Sequence, residues 1–391
     1  MEGDFIKIND WLLPLSWIYG AGVRLRNQMF EMGMLKSRSF DIPVISVGNI
    51  TVGGSGKTPH VEYLINLLRD KVKVAVLSRG YKRKSKGYML ATADTPMCDI
   101  GDEPYQMKKK FADIYVAVDK DRCHGIDQLT ANEETSDTDV ILLDDAYQHR
   151  YVKPGVNILL VDYHRLIMYD KLLPAGRLRE PQKGKARADI VIVSKCPAEL
   201  KPMEFRVITK AMNLFPYQKL YFTTLKYGSL RPIYGGEDRK LDTLTGDTSI
   251  LLLTGIASPQ QMIVDLKPYT ERITPLTFPD HHQYTDADID RINAEFEAMK
   301  GNDKMIVTTE KDNARLCGME GLSDEVKKNI YVLPVEVGFM LDQEEDFNEN
   351  IIGYVRKNSR NSILAKAKDD NKSDNSDNSG NRTRTISFRN N

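Results

Sequence analysis

Between residues 46 and 59 the chain reads SVGNITVGGSGKTP, a glycine-rich turn running into Lys57 and Thr58. Such a run holds the phosphates of a nucleotide. Gly53, Gly54 and Gly56 permit positive φ and leave no Cβ in the way, so backbone N–H groups converge on phosphate oxygens at a helix N-terminus. Thr51, Val52, Gly53, Gly54, Ser55 and Gly56 would form the cradle, Lys57 would reach the β- and γ-phosphates, and Thr58 would ligate magnesium. The strict pattern opens on a glycine where this chain has Thr51, so the motif by itself is a partial match. The bland alternative is a strand-to-helix turn with an incidental lysine.

A phosphate loop of this kind needs carboxylates on the magnesium side, and DVILLDDAYQHR supplies Asp144 and Asp145 after a buried-type run. One of the pair could instead cap a helix. Gln148 and His149 in the same stretch are either ligand contacts or surface polar groups. Three further polar constellations stand near element edges: GDEP (101–104), LLPAGRLREP (172–181) and FPDHHQY (278–284). Asp102 and Glu103 are either chemistry or an N-cap for the helix that Pro104 begins. FPDHHQY carries two of the six histidines beside Asp280, so an Asp/His pair could accept a proton, whereas a metal site would lack a third ligand. LSRGYKRKSKGY (77–88) is basic and reads as a solvated face.

The elements that must position these groups are legible as β-branched runs at 42–48, 73–78, 113–118, 139–145, 156–162 and 188–195, separated by helix-sized or loop-sized spacers. That is the pattern of a parallel sheet covered on both faces. The glycine loop thus follows a strand and Thr58 opens a helix, which is the setting a P-loop requires. Looser, Gly- and Pro-broken sequence over 211–245 reads as a linker or β-ribbon. Strand-like runs resume at 248–255 and 304–310, with a helix from about Asp286 to Met299 capped by Thr285. The fold expected is α/β: a P-loop NTPase-like doubly wound parallel sheet at 37–210, with a second, smaller α/β domain at 246–345. Residues 366–391 have almost nothing apolar to bury and should be disordered.

Lys plus Arg and Asp plus Glu both total 55 in the 391 residues, so no global field draws the chain to nucleic acid. Cys98, Cys123, Cys196 and Cys317 form no C-x-x-C pair, against zinc and against a disulfide framework. WLLPLSWIYGAGV (11–23) is too short to cross a bilayer of about 30 Å, and Glu2 and Asp4 spoil a secretory leader. With Trp11, Trp17, Tyr19, Arg24 and Arg26, the segment 1–36 is read either as a helix lying in a membrane interface or as one packed on its own domain.

Taken together, WLLPLSWIYG, PVISVGNITVGGSGKTPH, LSRGYKRK, GDEP, the Asp121-Arg122 pair, DDAYQHR, LLPAGRLREP, LLTGIASP, FPDHHQY and TTEKD resemble, in order, the segments of the tetraacyldisaccharide 4'-kinases. The likeness runs from about residue 11 to residue 340, and the Thr51 departure is typical of that family. The resemblance implies ATP- and Mg2+-dependent transfer of the γ-phosphate to the 4'-hydroxyl of tetraacyldisaccharide 1-phosphate in lipid A biosynthesis. It also implies a lipid substrate, a membrane surface as partner, and a place at the cytoplasmic face of the bacterial inner membrane. The family's P-loop residues fall on Lys57 and Thr58, its strand-end aspartates on Asp144 and Asp145, and its acid–histidine pair on Asp102 and His281, with His282 the alternative histidine. Glu103, Arg122, His149 and Glu180 lie in matching motifs and would contact nucleotide, metal or the substrate phosphate.

The rival reading is a P-loop GTPase or metallochaperone-like NTPase switch. Its guanine motif N-K-x-D occurs only at Asn371-Lys372-Ser373-Asp374, inside the polar tail, where no strand positions it. A non-enzymatic membrane scaffold would leave the P-loop and Asp144/Asp145 without a purpose.

Overall fold

The computed structural model describes residues 8–256, 259–316 and 319–359. Fourteen strands among them are β1 (Val44–Asn49), β2 (Val74–Ser78), β3 (Met89–Leu90), β4 (Tyr115–Val118), β5 (Val140–Asp144), β6 (Val156–Asp162), β7 (Ile190–Ser194), β8 (Lys219–Tyr227), β9 (Arg231–Pro232), β10 (Ser249–Thr254), β11 (Ile273–Thr277), β12 (Lys304–Thr309), β13 (Ile330–Leu333) and β14 (Val335–Phe339). They form a nine-stranded sheet in the order β14-β8-β7-β6-β1-β5-β2-β4-β3 and a five-stranded sheet in the order β11-β10-β12-β13-β9. The six runs singled out in the first domain are β1, β2, β4, β5, β6 and β7. All pair in parallel, and β3 and β14 close the large sheet antiparallel at its two edges.

Continuous apolar strands are required because both faces are covered. Ile45 and Val47 of β1 pack with Val61, Leu64 and Ile65 of the helix Lys57–Leu68, while Val44, Ala75 and Ile141 point into a second core with Ile126 and Leu129 of the helix Arg122–Ala131. The parallel register sets Val47 beside Asp144. The loop after β1 and the aspartates after β5 therefore emerge together at the carboxyl edge of the sheet, where ligands of doubly wound folds bind.

Two boundaries differ from the sequence reading. The 211–245 segment contains β8, which is a full member of the large sheet beside β7, and β14, inside the 246–345 span, returns to pair with β8. The helix Glu344–Asn358 then places Phe347, Ile351 and Val355 in the same core as the helix after the glycine loop. The chain crosses to the smaller sheet and comes back, a long-range pairing that local patterning does not record. Strand β11 went unread because Pro275 interrupts it; it is an edge strand, where a missing N–H is tolerated. The predicted cap is present: the helix Asp286–Ala298 starts at Thr285, whose hydroxyl accepts from Asp288 N while Asp288 reaches back.

The N-terminal helix Leu13–Glu31 is packed by its small face. Ser16, Gly20 and Phe30 are its buried residues. Ser16 Oγ donates to Leu172 O (3.0 Å) and accepts from Ala175 N (2.9 Å), and a Cβ on Gly20 would meet Leu172 Cδ1 at 2.6 Å. Among the described residues no helix is long and apolar enough to cross a membrane. The tail expected to be disordered, and Cys317, lie outside the described residues; Cys98, Cys123 and Cys196 are free thiols.

Candidate active site

The glycine loop joins β1 to the helix Lys57–Leu68. Positive φ is used at Gly53 (118°) and Gly56 (77°), the latter as the left-handed N-cap, conformations that cost glycine least. Thr51 needs no such freedom: it is bridged antiparallel to Leu178, and Val52 N donates to Arg177 O at 2.8 Å. That explains why the strict pattern's first glycine is dispensable here, since the position is strand-like. Asn49 Nδ2 donates to Ser55 Oγ at 2.7 Å, and Lys57 Nζ stands 3.6 Å from Asp145 Oδ1.

Both strand-end aspartates face this loop in different states. Asp144 is fully enclosed, bonded only by Ser78 Oγ at 3.3 Å, and its Oδ1 has no hydrogen-bond partner among the described residues. Burial, with the like charges of Asp145 and Glu103, pushes its carboxyl up to about 7 despite Lys57 and Arg122. Asp145 sits in a left-handed conformation (φ 46°) and meets Arg179 Nη1 at 3.3 Å. Burial would raise its carboxyl too, but Lys57, Arg179 and Arg122 outweigh that and hold it low. An unpartnered buried carboxylate oxygen beside a second carboxylate is a donor set of the hard-oxygen kind that suits Mg2+. Arg122 is almost wholly buried behind the pair, and burial depresses its guanidinium to about 10.

The second constellation spans both sheets. Asp102 begins the helix Asp102–Lys110 after Gly101 and makes no capping bond, which removes the N-cap reading. Its Oδ2 is 3.0 Å from His281 Nδ1 and accepts from Arg315 Nη2 (2.6 Å) and Nε (2.9 Å). Burial alone would raise this carboxyl, yet His281 and Arg315 together bring it down to about 2. Arg315, with no exposed side-chain surface, is itself held by Gly255 O (2.9 Å) and Asp312 Oδ1 (3.1 Å). His281 has a left-handed backbone (φ 59°), and its ring lies 4.8 Å from that of Tyr81, centroid to centroid. Its Nε2 is 3.8 Å from Asp280 Oδ2, beyond hydrogen-bonding range. His282 goes elsewhere: it bonds Asp288 at 2.9 Å in the helix cap and stacks on Phe278.

The remaining named residues divide. Glu103 pairs with Lys311 at 3.0 Å across the two sheets' domains. Glu180 accepts from Arg187 (2.9 Å) and Gln148 (3.2 Å). His149 is held neutral, down to about 4, by burial and Arg122, and its Nε2 has no partner among the described residues. The basic loop is not merely solvated, because the Tyr81 ring lies against that of His281 at an interplanar angle of 54° and Arg83 Nη1 donates to Val118 O at 3.3 Å. Sequence reading missed Arg315, His60 and Lys195. Arg315 stands five residues beyond Glu310 of TTEKD, and a lone arginine on a short helix gives no local sign of its distant carboxylate.

A parallel sheet with strand, glycine loop and helix at its carboxyl edge, and paired aspartates ending the next strand, defines the α/β P-loop class of nucleotide-using enzymes. Residues 8–356 match the family described as Tetraacyldisaccharide-1-P 4'-kinase. The Tetraacyldisaccharide 4'-kinase of Phocaeicola vulgatus is 61% identical over 363 residues, 93% of this chain and 99% of that protein. That of Porphyromonas gingivalis is 44% identical over 357 residues, 90% of this chain and 99% of the relative. Among solved structures, LpxK from Aquifex aeolicus, crystallised in an "apo" form in complex with ATP, has a TM-score of 0.66 at 31% identity, covering 88% of this chain and 98% of its own. The chain belongs to the tetraacyldisaccharide-1-P 4'-kinase family.

Proposed function

We propose that this protein transfers the γ-phosphate of ATP to the 4'-hydroxyl of tetraacyldisaccharide 1-phosphate, working at the cytoplasmic face of the inner membrane. The observation that carries the reading is the Asp102–His281–Arg315 cluster, assembled from two domains, with Glu103, next to Asp102 in the chain, near enough for its charge to act on Asp144. A GTPase switch needs no such proton-accepting group for a sugar hydroxyl.

With Nδ1–H donating to Asp102, His281 Nε2 carries the lone pair and has no partner at hydrogen-bonding distance among the described residues. Asp102, ionised at about 2 and saturated at Oδ2, is a weak proton acceptor and a strong orienter. The order within the pair is thus that of an aspartate-held histidine base. Nε2 takes the proton of the 4'-hydroxyl as its oxygen bonds to the γ-phosphorus and the bond to the ADP oxygen breaks; the proton then passes to solvent. The loop's N–H groups and Lys57 hold the phosphates in line. Thr58, Asp144 and Asp145 would hold Mg2+, which supplies charge neutralisation on the phosphate oxygens when bound.

The test is purified protein, γ-labelled ATP, Mg2+ and detergent-dispersed disaccharide 1-phosphate. The reading predicts label on the lipid with ADP formed in equal amount. ATP hydrolysis without lipid labelling, or labelling from GTP alone, would support the switch instead.

A further inference from the structure

We infer that Ser194, Lys195 and His60 form a carbonyl brace that sets the phosphate-binding loop in its ligand-ready shape, and that they are positioning residues for ATP. The inference rests on ATP occupying this loop. Three successive loop carbonyls are captured from outside. Lys195 Nζ donates to Gly54 O, Ser194 Oγ donates to Ser55 O at 2.9 Å, and His60 Nδ1 lies 2.7 Å from Gly56 O.

A peptide unit is planar and its C=O and N–H point in opposite directions. Pinning the carbonyls of Ser55 and Gly56 outward therefore turns the N–H groups of Gly56 and Lys57 the other way, toward the helix mouth where an anion is held. The Gly54 carbonyl held by Lys195 belongs to the peptide whose N–H, that of Ser55, closes a tight turn onto Gly53 O at 3.1 Å. The brace thus fixes both the turn and the two amides that follow it.

Each donor is held in its turn. Lys195 has a left-handed backbone (φ 58°) at the end of β7, with little of its side chain exposed, and its Nζ is 3.0 Å from Asp162 Oδ2 at the end of the adjacent β6. A non-glycine residue in that conformation is uncommon and strained, and here it aims the side chain back at the loop. Ser194 is fully buried. His60 is buried between Gly56 and Thr223, whose Oγ1 is 3.0 Å from its Nε2. A carbonyl only accepts, so Nδ1 donates to Gly56 O, while Nε2 meets the Thr223 hydroxyl of β8. Strands β7 and β8 thereby reach the loop, although neither adjoins β1 in the sheet.

The experiment measures equilibrium ATP binding and steady-state kinetics on the intact protein for Lys195→Met, Lys195→Arg and Ser194→Ala, with thermal melts without nucleotide. The expected result for Lys195→Met is ATP binding weaker by about 10- to 100-fold, with KM for the lipid within about 2-fold of wild type. Ser194→Ala, which removes one neutral hydrogen bond, should weaken ATP by about 3- to 10-fold in the same pattern. Lys195→Arg, which keeps a cationic donor, should recover part of the loss. Nucleotide-free melting temperatures within about 2 °C of wild type would place the effect on the loop and not on the fold. ATP affinity unchanged in both Lys195→Met and Ser194→Ala, or losses of ATP and lipid affinity that track a fall in melting temperature, would overturn the brace. Failure of the wild-type protein to bind ATP would instead overturn the functional reading on which the brace rests.

Discussion

At the scale of single residues the site is organised by which carboxylates are paired and which are not. Asp102 is oversupplied with cations and stays ionised; Asp144 is undersupplied and lies near neutrality, raised from 3.8 to about 7. For Asp144 the folded value exceeds the unfolded one, so between about pH 4 and 7 the metal-free folded protein holds a proton that the unfolded chain has released. Stability from this group is present at acid pH and is lost as pH rises through 7. Replacing Asp144 by Asn removes that penalty. Asp144→Asn is expected to raise the metal-free melting temperature by about 2 to 5 °C at pH 8, with a clearly smaller gain at pH 5 and none below about pH 4, while turnover falls by about 100-fold or more. Melts at the two pH values check this: no difference between them, or a fall at pH 8, would mean that Asp144 is not the strained member of the pair. The places of Lys57 and Thr58 after the glycine loop and of Asp144 and Asp145 at a strand end were legible in the chain because loop and strand patterns are local. Arg315, Lys195 and His60 were not, since each acts on a partner from 4 to 213 residues away and none sits in a pattern that names that partner.

At the scale of elements, the N-terminal helix inverts the usual arrangement. Its small residues Ser16 and Gly20 face the protein, while Trp11, Trp17 and Ile18 are 94%, 70% and 72% exposed. The two sequence readings of this segment were therefore not exclusive: one face docks on the 172–175 turn and the other is left for something apolar. An exposed aromatic and aliphatic face with Arg24 and Arg26 close by fits the headgroup region of a bilayer. The double substitution Trp17→Glu/Ile18→Glu is expected to cut vesicle association and to raise KM for vesicle-borne lipid by about 10-fold or more, since each side chain contributes about 1.5 to 3 kcal/mol when buried. KM for ATP and the melting temperature should not move. Sedimentation with vesicles decides it, and unchanged association would locate membrane attachment on another surface. Strand elements were read from their apolar runs; β8 and β14 were misplaced because nothing in KLYFTTLKY or VEVGF says which of two sheets it will join.

At the scale of the whole molecule, the two domains meet at a helix pair and at the His281 loop beside it. The helix Asp102–Lys110 lies against Glu310–Leu316, tied by Asp102 to Arg315, by Glu103 to Lys311 and by Lys110 to Glu310, with Glu62 of the helix after the glycine loop sharing Lys110 at 2.6 Å. Domain docking and assembly of the Asp102–His281–Arg315 cluster are thus one event. The interdomain pairing of Asp102 with His281 came from family resemblance and not from any pattern in the residues; contacts 179 residues apart leave no local trace. The most direct test is a double-mutant cycle on kcat across that boundary, using wild type, Asp102→Asn, His281→Ala and the double variant, with each melting temperature recorded. If the two side chains act as one unit, each single change lowers kcat by about 100- to 10,000-fold with KM for ATP little altered, and the double variant is within about 3-fold of the worse single. Losses that multiply across the cycle, or a His281→Ala enzyme with near-normal kcat, would contradict the account.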